Sequence, residues 1–85
     1  PRPERYAIHK LIVADRRRDG AGSLKSAKDR EQAAFLIAAM AEDRPDDLAR
    51  AYNAALEVGP RWRERIDNSL GRMHATRDIL DSIST

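Results

Sequence analysis

The sequence predicts an all-α bundle of about four helices joined by short turns. Three observations lead there. No alternating apolar–polar run of strand length occurs, and β-branched residues are scattered. Apolar residues recur instead at helical spacing through four successive segments. Pro45 and Pro60, with Gly20 and Gly59, sit where those segments meet, as first-turn prolines and helix-ending glycines do.

The first helix is expected over about 3–18. Pro3 suits its first turn, and Glu4 favours the positive end of the helix dipole. Ile8, Leu11 and Ile12 share one side, with Ala7 and Ala14 at its edge, and that side can be buried. Tyr6, Lys10, Val13 and Arg17 align on another side that resembles a contact surface more than a solvated face. Arg16, Arg17 and Arg18 complement the C-terminal dipole, and Gly20 is a natural stop.

A second helix is expected over about 24–42, capped by Ser23 or Ser26, with Ser26-x-x-Asp29 as a weak capping box. From Ala33 to Ala41 it is apolar all round, which predicts a central helix enclosed by neighbours. The third, over 45–58, carries Leu48, Ala51, Tyr52, Ala55 and Leu56 inward. The fourth, over 60–82, places Trp62, Ile66, Leu70, Met73 and Leu80 on one face, with Trp62 stapling it to the bundle. Gly71 costs roughly 1 kcal/mol against alanine within that pattern, so the helix can bend or end there.

An 85-residue chain makes one domain, 1–85. It opens at Pro1 without an initiator methionine, so a C-terminal fragment of a longer protein is expected. The pI of 9.4 mainly reflects arginine's high pKa, because the formal net charge is only +2. Whole-chain charge is therefore weak evidence for a polyanionic partner. The absence of cysteine excludes a disulfide framework and thiolate metal sites. No signal peptide is evident, and the longest apolar run falls far short of the roughly 20 residues that span a bilayer. A cytoplasmic protein without membrane partners is the default expectation.

Few residues suggest chemistry alone. Gly22 and Lys25 lack Walker A spacing, and a helix rather than a strand precedes them. His9 and His74 have no spaced partner for zinc; His9 reads as a packed structural residue and His74 as solvated. One constellation remains. If the first two helices form a hairpin, Lys10 and Arg17 approach Lys25, Lys28 and Asp29 at the start of the second helix. Those cations suit phosphate. An interhelical salt-bridge cluster explains them equally well, and both readings stay open at this point.

Particular residues carry a family resemblance. Pro3-Glu4-Arg5-Tyr6-Ala7-Ile8-His9-Lys10-Leu11-Ile12-Val13-Ala14, the arginines that follow, Lys28-Asp29 before an alanine-rich helix, and Gly59-Pro60-Arg61-Trp62-Arg63 form the pattern. It resembles the C-terminal helical part of bacterial polymerase-β-like nucleotidyltransferases, including the branch related to abortive-infection toxins. The resemblance covers about Pro3 to Leu70. It implies that Lys10 helps bind nucleoside-triphosphate phosphates, with Lys28 and Asp29 nearby and Arg17 a further candidate. It also implies Mg²⁺ in the intact protein, none bound to this fragment, and an N-terminal catalytic domain of the same chain as partner.

Two departures bear on catalysis. Gln32 stands where the Lys-Asp motif often carries a second acid. Gly22-Ser23 is followed by a lysine-rich helix and not by a pair of metal-binding aspartates. The fragment alone is expected not to catalyse. The expected function is thus to help clamp Mg-NTP over a catalytic domain outside this chain. The alternative is a stand-alone helical module that binds protein or nucleic acid through Arg16–Arg18.

Overall fold

The computed structural model describes residues 2–18 and 22–84. Five helices follow one another: α1 (Pro3–Arg16), α2 (Ser23–Asp43), α3 (Pro45–Val58), α4 (Pro60–Leu70) and α5 (His74–Ser84). No strand occurs among the described residues. The all-α class is as expected, but the described residues form five helices where about four were predicted. Pro3, Pro45 and Pro60 each stand in a first turn, where a missing backbone N–H goes unfelt.

The extra helix arises at Gly71. Its N–H donates to the Asp67 carbonyl at 2.8 Å, and Arg72 and Met73 then donate to Ser69 and Leu70, each 3.0 Å away. Those last two bonds span three residues, a 3₁₀-like tightening that ends α4. The chain turns there, and α5 packs against α2 and α3, fully burying Leu80. The expected helix over 60–82 is therefore two. α1 ends at Arg16, short of Arg18, because Arg17 donates to both Val13 and Ala14 carbonyls in a tightened last turn. The predicted Gly20 stop, with Asp19 and Ala21, lies outside the described residues.

The predicted enclosure of α2 does not hold; α1 is the more central helix, with Arg5, Tyr6 and His9 still exposed on its outer side. It packs against α2, α3 and α4, with Ala7, Leu11, Ile12 and Ala14 wholly buried. α2 turns Ala33, Ile37 and Met40 inward but leaves Ala38 and Ala39 exposed and Phe35 74% exposed. Alanine has so little apolar area that exposing it costs little, so an alanine-rich run does not require neighbours on every side. The Ser26-x-x-Asp29 capping box does not form either. α2 begins at Ser23, and the Ser26 hydroxyl donates to the Ala14 carbonyl at 2.6 Å, bridging α2 to α1.

Core and surface substitutions should separate sharply. Leu11→Ala is expected to destabilise the fold by about 2–5 kcal/mol, and Phe35→Ala by no more than about 0.5 kcal/mol, in urea unfolding.

Candidate functional site

α1 and α2 form an antiparallel hairpin whose register is visible in its contacts. Ala14 meets Ser26, Lys10 meets Asp29, and Tyr6 shares a cleft with Gln32 and Leu36. Gly22 helps set that register. A Cβ there would stand 3.0 Å from the Arg17 carbonyl oxygen, so glycine lets the chain pass close to the end of α1.

The hairpin brings three of the four predicted site residues together. Lys10 Nζ donates to Asp29 Oδ1 at 3.0 Å, and Arg17 Nη1 donates to Asp29 Oδ2 at 3.3 Å. The carboxylate is buried beneath its partners, whereas the Lys10 side chain is 18% exposed and that of Arg17 47% exposed. The Lys10 ammonium also lies 5.4 Å from the centre of the Tyr6 ring, within cation–π range. Lys28 is exposed one position before Asp29 and makes no ion pair among the described residues. Lys25 is likewise exposed.

Lysine has three donors and arginine five, so cations held by one acid retain N–H groups for another acceptor. The predicted salt-bridge cluster is thus present, and its two cations stay partly open to solvent. The same residues fit a metal poorly. Asp29 is already occupied by two cations, and no group of three His, Cys, Asp or Glu occurs among the described residues.

Two further acids are buried that were not expected to point inward, Asp15 not considered and Glu4 read only as a helix-dipole residue. Asp15 accepts from Arg18, from Arg65 at 3.4 Å and from Asn68 at 3.5 Å. Glu4 accepts from Arg44 at 3.0 Å. The signal was available: Glu4, Ile8, Leu11 and Asp15 lie at i, i+4, i+7 and i+11, so both acids fall on the inward stripe. His9, expected to be packed, is exposed, with its ring 5.9 Å from that of half-buried Trp62, which packs α4 against the core as the stapling role requires. His74 is exposed, as expected, with Nε2 3.1 Å from the Gly71 carbonyl.

Asp29 dominates the titration of Lys10. Its hydrogen bond holds the ammonium above the usual lysine range; partial burial opposes this, and Tyr6 adds to it. A pKa raised on folding means that the stabilisation is fully present below the unfolded value. It is lost as pH climbs through the folded value. The stability gap between wild type and Lys10→Met should therefore hold to about pH 10 and narrow above about pH 10.5, as read by chemical denaturation.

Residues 1–57 match a protein family described as nucleotidyltransferase. No curated protein and no solved structure matches the chain. The matched segment spans α1, α2 and nearly all of α3, and so contains Lys10, Arg17, Lys28 and Asp29. With a match over more than half its length and the Lys10–Asp29–Arg17 cluster inside it, the chain belongs to this nucleotidyltransferase family.

Proposed function

We propose that this chain is the helical part of a polymerase-β-like nucleotidyltransferase and helps clamp Mg-NTP over a catalytic domain outside the chain. The observation that carries this reading is the convergence of Lys10 and Arg17 on one buried carboxylate, with cationic donors left to spare. In the proposed complex Asp29 holds both cations in place before the nucleotide arrives. Their remaining N–H groups then take phosphate oxygens, so little side-chain freedom is lost on binding. Lys28, exposed alongside, adds positive charge that draws the triphosphate in.

The catalytic metals belong elsewhere in this reading, because the described carboxylates do not group to hold them. In-line transfer of the nucleotidyl group then falls to the catalytic domain, and the helical part contributes orientation and charge. The alternative, a nucleic-acid module built on Arg16–Arg18, has less support. A formal net charge of only +2 supplies little of the cationic surface that salt-dependent nucleic-acid binding draws on.

In the full-length protein, Lys10→Ala is expected to raise KM for NTP at least about tenfold, the scale of a lost charge-assisted hydrogen bond. Arg17→Ala, at a more exposed site, should do so more weakly. Folded Lys10→Ala protein with unchanged kcat and KM for NTP overturns the reading.

A further inference from the structure

Beside the Lys10 cluster lies a cleft of about 390 Å³, lined by Tyr6 from α1 and by Glu31, Gln32, Phe35 and Leu36 from α2. Its two aromatic side chains are conspicuously wet: Tyr6 is 52% exposed and Phe35 74% exposed. The core does not account for either, since both lie outside the buried cluster. We propose that this cleft takes the base of the nucleotide whose phosphates Lys10 and Arg17 hold. Tyr6 and Phe35 supply the stacking faces and Gln32 the hydrogen-bonding group.

The order of groups along the hairpin supports this occupant. On α1, Tyr6 comes first, Lys10 follows one turn later and Arg17 lies beyond; on α2, Phe35 and Gln32 precede Asp29 in the same direction across the face. Aromatic surface, then cations, is the order of base and phosphates in a nucleotide, with the sugar between them. An isolated apolar peptide would leave the cluster's net positive charge, two cations on one carboxylate, without an anion, and a bare polyanion would leave the aromatic rings uncovered. A nucleotide satisfies both.

Gln32 adds a polar edge. It is exposed, lies one turn from Asp29, and makes no hydrogen bond among the described residues. Its amide offers a donor and an acceptor together, the pairing that lets glutamine read a base edge. Glu31 beside it can accept from an exocyclic amino group and disfavours phosphate at that end of the cleft. A larger cleft of about 530 Å³ runs past Tyr6 to His9, Val58 and Trp62, but Arg5 is its one strongly cationic lining residue. It lacks the anchored pair that a triphosphate needs.

This assignment rests on the phosphate-binding role proposed for Lys10 and Arg17, and the two can fail separately. The experiment is binding to the full-length protein of Mg²⁺ complexes of ATP, GTP, CTP and UTP, and of inorganic tripolyphosphate, by calorimetry. Phe35→Ala is expected to weaken the nucleotides about tenfold, the usual effect of removing one stacking ring, and to leave tripolyphosphate unchanged; Tyr6→Leu, which also removes a ring from beside Lys10, should weaken the nucleotides more than tripolyphosphate. Gln32→Ala should alter the ranking of the four nucleotides. Lys10→Ala should weaken all five ligands.

If Phe35→Ala and Tyr6→Leu leave nucleotide binding intact while Lys10→Ala weakens it, the base site is wrong and the phosphate site stands. Equal weakening of tripolyphosphate by Phe35→Ala, which does not touch Lys10, overturns the base site too. So does a change in sedimentation with no change in nucleotide affinity, which marks the cleft as a protein contact. Wild-type protein that binds none of the five removes both proposals.

Discussion

A carboxylate withdrawn from water must be answered by cations or hydrogen bonds, because its lost hydration costs several kcal/mol. Asp29 is such a group. Lys10 on α1 and Arg17 just past its end answer it, and in doing so they define how α2 lies against that helix. The Ser26 hydroxyl on the Ala14 carbonyl and the close passage of Gly22 past Arg17 belong to the same register. A slip of one turn along the hairpin would strand Asp29 without partners and part Ser26 from its acceptor.

The pattern recurs around α1. Asp15 is answered from α4 by Arg65 and Asn68, and Glu4 from the α2–α3 junction by Arg44. Each buried acid of α1 or α2 thereby ties α1 to a different neighbour. Such pairs add little net stability once desolvation is counted, but they penalise other arrangements heavily. That matters in an alanine-rich chain, whose small side chains discriminate weakly between one packing and another. The apolar core supplies the driving force, and the buried acids select the geometry.

The same arrangement links fold to chemistry. A cation fixed by an acid beneath it and open above it needs little reorganisation to receive an anion. Salt bridge and phosphate site are therefore successive states of the same residues in the proposed reading, and the two are not competitors. Exposed Tyr6 and Phe35 extend that face from charge to aromatic surface, giving the hairpin a graded character along its length.

Much of this was legible in the chain itself. Helical periodicity, the prolines that open helices and the lack of any alternating run determined the all-α class, because those signals act through local backbone geometry and need no partner. The alignment of Tyr6, Lys10 and Val13 in one row was equally local, a consequence of 3.6 residues per turn, but not that Lys10 and Arg17 turn onto Asp29 of α2 and leave Lys10 and Val13 half-buried. Other features depended on which surfaces meet. Sequence periodicity could not say that α1 rather than α2 would be the central helix, since an alanine-rich arc tolerates water or protein almost equally. It showed that a helix could stop at Gly71, and packing of α5 on α2 and α3 decided that it does. Lys28 and Asp29 are adjacent in sequence, yet a rotation of about 100° exposes one and buries the other against Lys10 and Arg17. Which cations share one carboxylate is a matter of distances between helices, and only the folded hairpin sets those.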